Sequence, residues 1–230
     1  EAAKLLRVGG DIFVRTALLN VFLAYTTRAA NRIGADAGAA HQVIRQMFLF
    51  TSLAMDAYAT TVQSLVGYFI GQHSNRWARQ VVRIGAGWSL VTGLLLGVVM
   101  WWGRIWVIDL LVPAAAVGVF LSAWRISALS QPISSLAFLT DGAHWGTGDY
   151  RYLRNAMILA TLIGFAGIWF IDNRDVQALS AVWLVTAIWV SVRAFLGLLR
   201  IWPGIGKSAF QVTDEVSAQM LSGSEREFRT

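Results

Sequence analysis

"GAGWSLVTGLLLGVVMWWG", Gly85 to Gly103, runs nineteen residues without a charge. About 20 apolar residues wound as an α-helix match the hydrocarbon thickness of a bilayer. Lipid offers no partner to backbone N–H and C=O groups, and a helix satisfies them internally. The stretch therefore predicts a membrane-spanning helix. The whole chain agrees: 56% of its 230 residues are hydrophobic and 14% charged, where soluble domains carry about 25% charge. Mean hydropathy is +0.55.

Five more segments read as spans on either side of that run, over residues 12–30, 43–70, 119–143, 152–171 and 176–199. The expected fold is an all-α polytopic membrane protein, with a six-span membrane unit over residues 1–203. Residues 204–230 are polar and mixed in charge, and predict a mobile cytoplasmic tail with one short helix. "RIWVIDLLVPAAA", residues 104–116, is broken by Asp109 and Pro113. It reads as an interfacial turn or short helix, with a seventh span as the alternative. The chain opens at Glu1 without Met and shows no signal peptide. It reads as a piece of something longer.

Lys and Arg on alternate sides of the six spans divide eleven to four. Lys4, Arg7, Arg76, Arg79, Arg83, Arg151, Arg154, Arg200, Lys207, Arg226 and Arg229 fall on one side; Arg28, Arg32, Arg104 and Arg174 fall on the other. The positive-inside rule puts both ends of the chain in the cytoplasm, for a cell (inner) membrane location. Trp101, Trp102, Trp106, Trp124 and Trp169 gather at the outer ends and Trp77, Trp145 and Trp202 at the inner ones, where amphipathic indoles prefer to lie. The loops "GQHSNRWAR" (71–79) and "GTGDYRYLR" (146–154) share one glycine and arginine spacing, read as basic helix starts anchored to headgroups.

Composition also excludes function classes. The net charge of +6 is spread between apolar spans, so no nucleic acid is expected as partner. With no Cys, and with His41, His73 and His144 scattered, neither a disulfide nor a metal site is expected, and no cofactor is implied. Enzyme signatures are missing: no Gly-x-Ser-x-Gly elbow, no His-Glu-x-x-His, and "GIGKS" (204–208) lacks the upstream glycine of a phosphate loop. The chain is expected not to be an enzyme.

Ionisable residues within spans carry the functional argument, because each costs roughly 2.5 to 3.5 kcal/mol at a helix centre. Arg15 follows Asp11 at the i, i+4 spacing, which predicts a local ion pair. Asp56 lies near the middle of its span, with Thr60 and Gln63 one and two turns on; this polar stripe should face a cavity or a neighbouring helix. Asp141 lies near the inner end of the fourth span, preceded by Arg125, Gln131 and Pro132. It reads either as a hydrated helix-end acid or as part of a kinked helix lining a water-filled path. "GAHWGTG" after it (142–148) predicts a flexible helix end. Arg45 and Arg193 are assigned no role.

"AAHQVIRQMFLF" (39–50), "AMDAYATTVQSLVGYFIGQ" (54–72) and "LAFLTDGAHWGTGDYRYLRNAM" (136–157), with "GGDIFVRTALL" (9–19) before them, resemble the second half of multidrug and toxic compound extrusion (MATE) transporters, particularly the DinF-like branch. The resemblance covers residues 7–199 in order and spacing. It implies two six-helix lobes around a central cavity and cation-driven antiport of amphipathic, often cationic compounds. This chain would be the second lobe. Its implied partners are the lipid bilayer, a second six-helix lobe from a missing N-terminal half or another chain, a small-molecule substrate, and H+ or Na+. The resemblance places the second lobe's fourth-helix acid on Asp141, with Asp56 and Arg15 as further polar residues. Asp141 is the first choice for a switchable charge facing the inter-lobe cavity and Asp56 the second; Thr60 and Gln63 complete the candidate cation and substrate site. The competing reading is a six-helix membrane protein that binds or scaffolds and has no transport cycle. A transporter should leave polar residues lining a path, and a scaffold should bury them in pairs.

Overall fold

The computed structural model describes residues 2–210, apart from 176, 203 and 207. The polar segment from 211 onward, where a short mobile helix is expected, lies outside the described residues. Seven α-helices and no strand occur among those described: α1 (Ala2–Ile33), α2 (Ala35–Gly71), α3 (Asn75–Leu111), α4 (Val117–Leu129), α5 (Gln131–Thr147), α6 (Tyr150–Trp169) and α7 (Ala178–Ile201). Four contain stretches long and apolar enough to cross a membrane: α1 from Leu5, α3, α6 and α7. α2 is as long as α3, at 37 residues, but its charges, Asp36, Arg45 and Asp56, are spread along it, whereas those of α3 leave residues 84–103 free of charge. α4 and α5 are stacked halves separated only at Ser130. Pro132 in the first turn of α5 has no N–H to donate. The backbone restarts through the Ser134 amide, which donates to the Ser130 carbonyl at 2.9 Å.

α3 corrects the reading of residues 104–116. The helix does not stop near Gly103; it carries "RIWVIDLL" to Leu111 and ends at an extended Val112, as the residue before Pro113 requires. Only Ala114–Ala116 form a separate 3-10 turn. The expected interfacial element is thus mostly the last turns of α3.

The bundle is built around α5, which packs on α2, α3 and α7, while α1 lies against α6 and α2. Small residues set the approach of these helices. An added Cβ at Gly142 would lie 2.2 Å from the Ala59 carbonyl oxygen, and one at Gly146 would lie 2.6 Å from that of Gln63. At Gly93 it would meet Ser135 Oγ at 2.6 Å, beside the break before α5. One core cluster joins Phe22, Phe120, Trp124, Trp183 and Trp189; a second, toward the other end, joins Val62, Val66, Val82, Leu139 and Phe210. Phe210 reaches this cluster because the chain after α7 folds back. Asn75 Nδ2 donates to the Ala209 carbonyl at 2.7 Å, and Arg79 donates to the carbonyl of Phe210.

The exterior divides by chemistry. α3 exposes Leu94, Leu95, Val98, Val99 and Trp102, and α6 exposes Leu159, Leu162 and Ile163: faces suited to hydrocarbon. α2 differs, exposing Gln42, Gln46, Asp56, Thr60, Thr61 and Ser64 between its apolar residues.

Candidate cation and substrate site

The arrangement around Asp141 begins with three helices meeting. α5 brings Asp141 inward, α7 brings Arg193, and α1 brings Arg15. Arg193 Nη2 donates to Asp141 Oδ2 at 2.5 Å, and Arg15 Nη2 donates to the same oxygen. Close approach is possible because Gly197, one turn past Arg193, offers no side chain to Thr140 on α5; a Cβ there would meet Thr140 Oγ1 at 2.5 Å. The Arg193 and Asp141 side chains are 4% and 13% exposed, so this is an interior ion cluster. Each buried ion costs several kcal/mol to desolvate, which only good geometry offsets. Aromatic faces help: Arg193 lies over Trp189 at 4.6 Å and Arg15 over Trp145 at 5.5 Å, favourable cation–π positions. Nε of both arginines lacks a hydrogen-bond partner, and one carboxylate facing two guanidiniums leaves one net positive charge.

These contacts overturn several local expectations. Arg15 does not pair with Asp11; it spans to Asp141, 126 positions away. Asp11 is instead held by Arg154 at the start of α6, which also donates to Asn155. A four-residue spacing permits a pair on one helix but cannot exclude a better partner on another. Within this lobe Asp141 lines a small hollow of about 10 Å³ together with Tyr152, Met157 and Arg193. It is buried inside the lobe with both cations already beside it. Nor is "GAHWGTG" a flexible end, since α5 stays helical through Thr147 and Gly142 and Gly146 are contact points against α2. Only Gly148, at φ 73°, uses a glycine's conformational freedom, to cap the helix. Below the cluster, His144 Nε2 lies 3.1 Å from the Gly197 carbonyl oxygen, Tyr152 donates to the Leu196 carbonyl at 2.5 Å, and Arg200 donates to Asp149 at 2.8 Å. These bonds join the ends of α5, α6 and α7. Sequence reasoning assigned Arg193 nothing, and no local signal marks its partner, 52 residues earlier.

Asp56, Thr60 and Gln63 are not part of that cluster. Asp56 and Thr60 are exposed and Gln63 is half-buried on α2. Asp56 lies within a turn of the midpoint of α2, and its carboxylate forms no ion pair among the described residues. Thr60 Oγ1 donates to the Asp56 carbonyl at 2.7 Å, and Ser64 Oγ donates to that of Thr60 at 3.0 Å. Both hydroxyls therefore have a helical acceptor and still present an oxygen lone pair outward. Less than a turn before Asp56 begins a shallow hollow of about 590 Å³, lined by Gln46, Met47, Leu49, Phe50, Ser52 and Leu53. An apolar hollow beside an unpaired carboxylate suits an amphipathic cation. No group of three or more potential metal ligands occurs among the described residues.

Comparison with known proteins fits this architecture. The chain is 27% identical over 197 residues to Protein DETOXIFICATION 45, chloroplastic, of Arabidopsis thaliana, covering 85% of this chain and 35% of that protein. It is 26% identical over 197 residues to DNA damage-inducible protein F of Escherichia coli K12, covering 85% of this chain and 41% of that protein. The chain thus spans well under half the length of these curated relatives. In structure it superposes on the Vibrio cholerae MATE transporter VcmN with a TM-score of 0.79 at 15% identity, over 92% of this chain and 50% of the other. That is a likeness of fold, with this chain matching one half. Residues 12–170 match the MatE family model, and with the interrupted all-helical lobe already described, the chain belongs to the MATE family.

Proposed function

We propose that this chain is one lobe of a cation-coupled antiporter, driven by H+ or Na+, that exports amphipathic or cationic compounds, with the polar face of α2 lining the path. One observation carries the reading: Asp56 is an exposed, unpaired carboxylate near the middle of a long helix. Facing lipid it would cost roughly 2.5 to 3.5 kcal/mol, so it needs water, a cation or a second lobe in front of it. The order of the two acids is reversed here relative to the sequence reading. A proton or cation reaching Asp141 must displace a guanidinium, whereas Asp56 is open to exchange. Asp141, Arg15 and Arg193 act in this proposal as the joint that holds α1, α5 and α7 together, and Thr60 and Gln63 flank the exchanging carboxylate.

In vesicles holding the whole transporter, Asp56→Asn should insert normally and abolish or uncouple cation-driven export of a fluorescent dye. The scaffolding alternative finds support in the internally paired charges around Asp141. It predicts no cation-driven export by the parent protein at all. Parent-like coupling in Asp56→Asn would remove Asp56 from the mechanism.

A further inference from the structure

At the end of the bundle remote from the Asp141 cluster, α1 and the segment after α6 enclose a cleft of about 220 Å³. Arg28 and Arg32 stand one helical turn apart on one wall, with Tyr25 beside them; Ile168, Trp169 and Asn173 form the other. Neither arginine is ion-paired to a described carboxylate. The nearby acids are engaged locally: Asp172 Oδ1 accepts the Arg174 amide at 3.0 Å and Asp175 Oδ1 accepts the Gln177 amide at 2.9 Å. Two uncommitted guanidiniums facing one small cleft match the oxygens of a phosphate, which Arg binds in bidentate fashion.

From these residues we infer a binding site for the headgroup of an anionic phospholipid. What selects a lipid over a free phosphate is the rim. Trp169 and Phe170 are 79% and 85% exposed there, an arrangement typical of the boundary between headgroups and hydrocarbon. From that rim the exposed side chains of Ile158, Leu159, Leu162 and Ile163 continue down α6. A phosphate held by Arg28 and Arg32 would leave its acyl chains lying on this apolar strip. The site is separate from the transport path proposed on α2, and its test does not depend on export.

Native mass spectrometry of the purified protein, titrated with palmitoyl-oleoyl phosphatidylglycerol or phosphatidylcholine, reads the site directly. The parent should retain phosphatidylglycerol in preference to phosphatidylcholine. Arg28→Ala/Arg32→Ala should weaken that retention by about tenfold or more, the factor that separates two affinities by 1.4 kcal/mol. Arg174→Ala, which removes one positive charge at the same end but outside the cleft, should leave it unaltered. Because the double alanine variant could lose structure, Arg28→Lys/Arg32→Lys provides a second measure and should keep the preference for the anionic lipid. Three results would overturn the inference: equal retention of both lipids by the parent, a double alanine variant that binds like the parent, or glycerol phosphate displacing phosphatidylglycerol at matched concentration. The last would mean a site for a free phosphate, with no contribution from the apolar rim.

Discussion

Removing the carboxylate at Asp141 should harm the fold more than removing either arginine beside it. In the parent, one carboxylate oxygen faces the guanidiniums of Arg15 and Arg193, and the cluster carries one net positive charge. Asp141→Asn leaves two buried guanidiniums with no counterion, and breaking a buried pair in this way costs roughly 3 to 5 kcal/mol. Arg193→Met acts differently, because the remaining Asp141 and Arg15 form a neutral pair and a costly desolvated cation has gone. Its cost should be on the order of 1 kcal/mol, that of an ordinary hydrogen bond. Combining Asp141→Asn with Arg193→Met restores the parent's net charge, so the double variant should be more stable than Asp141→Asn alone. Denaturation of the purified protein in mixed micelles, followed by circular dichroism, measures the four members of the cycle. Strictly additive costs, or a double variant less stable than Asp141→Asn, would refute the account of an electrostatic joint.

Glycine positions give a paired test: Gly142→Ala places a Cβ 2.2 Å from the Ala59 carbonyl oxygen and forces α2 from α5, whereas Gly87 has nothing within 4 Å. In thermal melts Gly142→Ala should destabilise by roughly 1 to 3 kcal/mol, and Gly87→Ala should be neutral or stabilise by up to about 1 kcal/mol through helix propensity. Topology can be read by thiol labelling, since the chain has no Cys. A cysteine at Arg79 or Arg151 should label only from the cytoplasm and one at Arg174 only from outside; reversed labelling would overturn the orientation drawn from the Lys and Arg count.

The all-helical membrane class was legible because hydropathy is a property of each stretch alone. A charge-free run such as Gly85–Gly103 needs no partner to declare itself. Where α3 ends was less legible, since Asp109 and Pro113 suggested an interfacial turn although the helix runs to Leu111. The ion cluster was least legible. Spacing on one helix proposes Asp11 for Arg15, while the actual partner arrives through assembly of the bundle: Gly197 lets α7 approach α5, and α1, held against α6 and α2, reaches Asp141 through the Arg15 side chain. Gly142 and Gly146 read as flexibility in sequence and act as close-packing points against α2 in the fold. Asp56 could be singled out because an acid in an apolar span is conspicuous alone. That it stays unpaired among the described residues, while Asp141 does not, only the three-dimensional arrangement could decide.

The central claim is that the polar face of α2 meets water while the faces of α3 and α6 meet lipid. Single cysteines at Thr60, Leu95 and Leu162 in the whole transporter, exposed in membranes to a small charged thiol reagent, test it most directly. The account predicts rapid labelling at Thr60, slowed by an exported compound, and negligible labelling at Leu95 and Leu162. Thr60 as unreactive as Leu95, or labelling at Thr60 indifferent to every exported compound, would contradict it.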